Sequence, residues 1–264
     1  MSTEVKKLSR RLKSKRRALL RDYRDEDLHK LRITLRRIRS LLKQQPDDEA
    51  RRLRRELGRM AAATNDARDW DTCYARIAHT LGKEYCGAIE PLVAARRSRS
   101  HRRVRRMLRS KRWSRAVKRW RQYARDSQLE STRPAGETQA AGGLEQRLSM
   151  AARQALARDD DKSWHKLRIA VKELRYQLDS TADGSPQPGS EAMLQQCKRL
   201  QADLGDWHDT VVHQGLLQEL NADLKPNADV ESRDIIAKLC HQAAQEGSEI
   251  LARVRVTLEE GAHV

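Results

Sequence analysis

His29-Lys30-Leu31-Arg32-Ile33 returns, letter for letter, as His165-Lys166-Leu167-Arg168-Ile169. The first copy runs on through Arg36 and Arg39 and the second through Lys172 and Arg175, so each reads His-x-x-Arg-x-x-x-cation-x-x-Arg. On an α-helix, which turns about 100° per residue, these four positions share an arc of roughly 80°. Lys43 falls on the same arc one turn further along. Beside the cations runs an apolar arc of Leu28, Leu31, Leu35, Ile38 and Leu42, matched in the second copy by Trp164, Leu167, Val171, Leu174 and Leu178. Each copy therefore predicts a helix that seats one face in a core and offers a column of positive charge beside it.

The repeat reaches well beyond the motif. At a fixed offset of 140 residues, Leu53, Leu57, Met60, Thr64 and Ala67 align with Met193, Cys197, Leu200, Leu204 and Trp207, which predicts one long helix in each half. Between the motifs the offset is 136 residues. A longer loop over Asp183 to Ser190 absorbs the difference, against a short break at Pro46, where Asp47 and Asp48 open the next helix. Basic residues Lys6 to Arg21 precede the first motif as a helix, and Leu144 to Arg158 stand in the same place before the second. Pro and Gly punctuate a sequence that otherwise reads as helix, with no sustained period-two alternation, so the fold class read from the residues is all-α. Residues 1–130 form a first helical repeat and 144–264 a second, joined by a linker over 131–143 that holds Pro134, Gly136, Gly142 and Gly143. The length of 264 residues suits one large domain or two of about 130 residues.

Charge narrows the class of partner. Residues 1–132 hold 39 Lys and Arg against 16 acids, and the rest hold 16 against 21, so the halves carry +23 and −5. Arg96 to Arg125 alone contains 15 cations and no acid, with Val104, Leu108, Trp113, Val117 and Trp120 spaced as the apolar stripe of a helix. Such a field attracts polyanions or is neutralised by small ions. Cys73, Cys86, Cys197 and Cys240 show no metal-binding or disulfide spacing, which fits a reducing cytosol. The N-terminus lacks a secretory apolar run, and no stretch approaches the roughly 18 apolar residues that span a bilayer. A soluble, cytoplasmic protein is expected, without membrane insertion.

A second signature repeats within the long helices: Asn65-Asp66-Ala67-Arg68-Asp69 against Gly205-Asp206-Trp207-His208-Asp209. Its carboxylates either orient the Arg and His side chains of a neighbouring bundle or stand solvated. Asp71 projects into the apolar seam where the second copy has Val211, and a cation is expected to meet it there. His29 and His165 each share an arc with three cations, so repulsion should depress their pKa values and a bound polyanion should raise them. No phosphate loop, nucleophile elbow or His-Glu-x-x-His pair occurs. Asp159-Asp160-Asp161 stands where a cap for the second motif helix belongs. Asp25, Glu26 and Asp27 near His29 mimic a metal site, but the cation column opposes a divalent ion, and neither metal nor cofactor is expected.

The paired His/Arg helices together with the paired Asp-x-cation-Asp segments resemble the CHAD family, the conserved histidine α-helical domain, over essentially the whole chain. The resemblance implies two four-helix bundles related by a pseudo-twofold axis, with the motif helices lining a basic central channel. It implies binding of inorganic polyphosphate without catalysis, and association with polyphosphate granules, granule proteins or a polyphosphate-metabolising enzyme. His29, Arg32, Arg36, Arg37 and Arg39 match one family motif, and His165, Arg168, Lys172 and Arg175 match the other. Lys43, Arg68 and His208 complete the candidate binding set. Glu173 stands where the motif prefers a second basic residue, which points to a weaker second grip. The Glu-x-Glu-x-Lys signature of the triphosphate tunnel domains often fused to this family is absent, so the chain resembles a stand-alone member. Two other functions compete: an RNA or DNA binder acting through residues 96–125 and the basic N-terminus, and a polyphosphate hydrolase with His29 or His165 as general acid. The inward spacing of Trp113, Trp120 and Tyr123 leaves no stacking platform of the kind that grips single strands.

Overall fold

In the computed structural model, residues 3–85, 89–126, 141–181, 190–224 and 230–261 are described, and all of their regular structure is α-helical. The chain divides into two compact units, Met1–Thr132 and Arg133–Val264.

The first unit holds α1 (Thr3–Arg21), α2 (Asp25–Lys43), α3 (Asp48–Ala62), α4 (Asn65–Tyr85), α5 (Glu90–Arg109) and α6 (Lys111–Asp126). The apolar arc of α2 is wholly buried: Leu28, Leu31, Leu35 and Ile38 are each 0% exposed. They pack with Leu12 and Leu19 of α1, Leu53 and Leu57 of α3, Val104 and Leu108 of α5, and Trp113 and Trp120 of α6. Asp47 caps α3, its side chain accepting from the Ala50 N–H at 2.8 Å. Beyond this core, α4 and α5 lie side by side as an arm with its own buried residues, Trp70, Ile77, Ile89 and Val93. Gly82, at φ 70°, breaks the helical path of α4 in a conformation that suits glycine.

The second unit builds a similar core from fewer pieces: α7 (Ala141–Arg158), α8 (Asp161–Thr181), α9 (Ser190–Asp223) and α10 (Val230–Gly261). Trp164, Leu167, Val171 and Leu174 of α8 pack with Leu144 and Ala155 of α7, with Cys197, Leu200, Leu204 and Trp207 of α9, and with Ile250 and Val254 of α10. Asp159, left-handed at φ 48°, ends α7, a conformation that Asp tolerates better than most residues. Asp160 then caps α8 by accepting from the Ser163 N–H at 2.7 Å. The capping role expected of the Asp159–Asp161 run thus falls to Asp160.

Three boundaries differ from the sequence reading. The single long helix expected over residues 53–67 is broken at Ala63 and Thr64, whereas its counterpart α9 runs unbroken for 34 residues. The Arg96–Arg125 segment is two helices, because Ser110 turns extended (φ −67°, ψ 149°) and its Oγ accepts from the Trp113 N–H at 3.1 Å, opening α6. Helix α7 begins at Ala141, so Gly142 and Gly143 belong to a helix and not to the linker. The remainder of the expected linker up to residue 140, the 182–189 part of the second loop, and Cys86 lie outside the described residues.

Candidate functional site

In the first unit, α2 carries its cations along the side that faces the α3–α4 junction. Arg32 is half-buried there. One guanidinium nitrogen, Nη1, donates to Thr64 Oγ1 at 2.7 Å, to Asn65 Oδ1 at 2.8 Å and to the Ala61 carbonyl at 3.4 Å. Burial, the largest influence, holds its pKa below the usual arginine value; Asp69 counters this, while Arg36 and Arg68 add to it. The side chains of the second signature therefore gather around Arg32. Lys30 bonds Glu26 at 2.9 Å, and His29 and Arg68 lie near enough to favour the same carboxylate.

Arg36, Arg39 and Lys43 are exposed and have no carboxylate partner among the described residues. The Arg39 guanidinium lies over Gly58 of α3, whose missing Cβ would stand 3.4 Å from it. Arg37 turns away: its Nε bonds Glu4 of α1 at 2.7 Å, which separates it from the other motif cations. Its counterpart Glu173 is exposed on the equivalent side of α8, so this departure from the family pattern falls off the stripe.

The second unit brings corresponding groups together with different partners. The His165 and His208 rings lie 5.4 Å apart, tilted at 46°. Burial first, then the charges of Arg168 and His165, hold the His208 imidazole below the usual histidine value, with Asp209 acting against them. Arg168 has no hydrogen-bond or ion-pair partner among the described residues, because Leu204 and Gly205 replace the oxygen-bearing Thr64 and Asn65. Further along α8, Arg175 pairs with Asp179 at 3.4 Å, and its guanidinium lies 4.7 Å from the centre of the exposed Tyr176 ring. Lys172 lies 5.8 Å from the same ring.

Within each unit the repeated carboxylates have different surroundings. Asp69 and Asp209 act on Arg32 and His208. Asp66 instead pairs with Arg103 of α5 at 3.3 Å, and Asp206 is exposed without a partner among the described residues.

Asp71 meets the cation its place in the seam called for. It is 3% exposed, and its Oδ1 accepts from Arg97 Nε at 3.1 Å and lies 2.8 Å from His101 Nε2. Tyr23, just ahead of α2, donates its hydroxyl to the other oxygen at 3.1 Å and stacks on His101 with ring centres 3.6 Å apart. Burial, then the Asp71 charge and hydrogen bond, push the Tyr23 phenol far above the usual tyrosine range. This cluster ties the start of α2 to the α4–α5 arm and so positions the first motif helix. Sequence reasoning missed Tyr23 and His101, whose only signal was the buried acid they serve.

An all-α chain with two cationic motif helices, each set against a second repeated signature, defines the class of protein. The model of the CHAD domain family matches residues 5–218. This chain belongs to the CHAD family. It is similar to the crystal structure of the CHAD domain from the plant Ricinus communis, with a TM-score of 0.61 and 25% identity over 97% of this chain and 89% of that one. No curated protein matches it.

Proposed function

We propose that this protein binds inorganic polyphosphate, without catalysis, through the His/Arg faces of α2 and α8. The observation that carries this reading is repeated in both units. A motif helix buries one arc completely and presents an adjoining column of cations, in which Arg36, Arg39, Lys43 and Arg168 have no carboxylate partner among the described residues. Unpaired cations held at a fixed helical spacing favour a ligand that is a string of anions. Arg forks match phosphate oxygens with paired charge-assisted hydrogen bonds. Release of condensed counterions adds to affinity and makes binding weaken steeply with salt, as for other polyanions. The absence of any phosphate-loop or nucleophile motif in the sequence supports a binding role, and any chemistry on the ligand then belongs to a partner enzyme. No helix among the described residues is long and apolar enough to cross a membrane. The proposed setting is the cytoplasm, at polyphosphate granules.

A series of polyphosphates of increasing length tests the reading. Affinity that rises with chain length supports it, and equal affinity for orthophosphate and long chains contradicts it. Incubation of the pure protein with long-chain polyphosphate and Mg²⁺ tests the non-catalytic part, which release of orthophosphate overturns.

A further inference from the structure

A second basic surface in the first unit shares no residue with the His/Arg face. Between α1 and α6 runs a groove of about 940 Å³ lined by no acidic residue. Lys6, Arg10 and Lys13 form one wall, and Lys118, Arg121 and Arg125 form the other. Both walls follow helical spacing, i, i+4 and i+7 on α1 and i, i+3 and i+7 on α6, so each set lies on one side of its helix. The floor is closed: Leu12 and Trp113 are 1% and 2% exposed, and Trp120 Nε1 donates across the floor to Ser9 Oγ at 3.1 Å. Arg16, at the end of the groove, is tied down by donating to the Leu108 carbonyl at 2.8 Å. The six wall cations have no ion-pair or hydrogen-bond partner among the described residues.

Elsewhere in the α5–α6 segment, some of the charge is used within the protein. Arg97 serves Asp71, Arg103 serves Asp66, Arg105 donates to the Leu19 carbonyl at the end of α1, and Arg119 spans Glu49 and Glu56 of α3. Arg99, Arg102, Arg106 and Arg109 of α5 are also exposed without a partner among the described residues, so what sets the groove apart is two rows of cations that face each other across one floor.

The ligand follows from charge density. Each wall runs over seven residue steps, about 10.5 Å of helix rise, and the two walls bring six cations to that length. A single nucleic-acid strand supplies only about one charge per 3.4 Å, roughly three over the same distance, so charge density separates condensed phosphate from single strands, though not from a duplex at about one per 1.7 Å. Phosphates joined by single bridging oxygens set their charges closer together and match the groove better. The buried tryptophans of the floor also give bases nothing to stack on.

We propose that the α1/α6 groove is a second, separate binding site for condensed phosphate, so that one molecule holds two stretches of polyphosphate and cross-links long chains. The cross-linking rests on the binding proposed for the His/Arg faces; the groove site by itself does not.

The test compares three variants with wild type: a groove variant (Lys6→Ala, Arg10→Ala, Lys118→Ala, Arg121→Ala), a face variant (Arg36→Ala, Arg39→Ala, Arg168→Ala, Lys172→Ala) and a charge-matched control (Arg52→Ala, Arg55→Ala, Arg59→Ala, Arg102→Ala). Calorimetric titration with a short linear polyphosphate counts sites, light scattering with long-chain polyphosphate reads cross-linking, and circular dichroism checks the fold. The groove variant is expected to bind fewer short chains per molecule and to scatter less, while the control matches wild type in both. The inference is overturned if the groove variant matches wild type, if the control loses as much, or if single-stranded DNA displaces the short chain from the face variant at equal charge concentration. A face variant that loses nothing overturns the function proposed for α2 and α8 and leaves the groove standing, so the two failures are distinguishable.

Discussion

The two units place the same five-residue motif in different surroundings. In the first, Arg32 is fixed by Thr64, Asn65 and the Ala61 carbonyl at a helix break, and the unpaired cations lie beyond it at Arg36, Arg39 and Lys43. In the second, Arg168 has no such partners, while Arg175 at the far end is held by Asp179. Identical letters therefore do not mean identical roles. The first motif arginine acts partly as a structural brace in one unit and is available to a ligand in the other.

The largest expected effect lies where the units differ in chemistry within the seam. Asp71→Ala leaves Arg97, His101 and Tyr23 without their shared acceptor and is expected to cost ~2–4 kcal/mol, measured by chemical denaturation. Truncating its counterpart, Val211→Ala, removes only part of a half-buried apolar side chain and should cost ~1 kcal/mol or less. Equal losses would mean that the Asp71 cluster does not hold α2 to the α4–α5 arm.

Next comes the motif arginine itself. Arg32→Ala should lower stability by ~1–2 kcal/mol, since it removes the hydrogen bonds at the α3–α4 break, whereas Arg168→Ala should leave the unfolding midpoint nearly unchanged and weaken polyphosphate binding instead. Paired unfolding and binding curves check this; two variants that behave alike would erase the distinction between brace and grip.

A smaller effect belongs to pH. With its pKa below the usual histidine value, His208 is neutral at pH 7, and a polyanion beside it favours the charged form. Affinity should therefore rise as pH is lowered from about 8 to about 5, and His208→Gln should flatten the rise. Without ligand the sign reverses. As pH falls through the usual histidine value, the unfolded chain takes up this proton before the folded one, so the stability contributed by neutral His208 is lost. Arg168, His165 and Asp209 are the charged or titratable neighbours that set the size of both effects.

Much of this was legible in the letters. The apolar arcs of both motif helices are buried, Asp47 and Asp160 cap the helices that follow them, and Asp71 found its cation. What escaped the reading depended on side chains arriving from far along the chain. The break before Asn65 carries neither Gly nor Pro. Thr64-Asn65-Asp66 has the oxygen-bearing side chains that favour a helix start, while Leu204-Gly205-Asp206 lacks the first two and the helix continues. Ser110 ahead of Trp113 was likewise a start signal, hidden in a run of arginines. Arg37 entered the candidate set through the family resemblance, although its helical position lies off the arc of the other cations, and Glu4 meets it there. The α1/α6 groove was visible only as charge, since nothing local says which two basic helices face each other.

The most direct test of the central claim compares two double substitutions that remove equal charge: Arg36→Ala with Arg168→Ala on the motif faces, and Arg102→Ala with Arg103→Ala on the exposed side of α5. The dissociation constant for long-chain polyphosphate, measured at one fixed salt concentration, should rise far more for the first pair than for the second. Equal losses would mean that the overall positive field, and not the repeated His/Arg faces, is what holds the ligand.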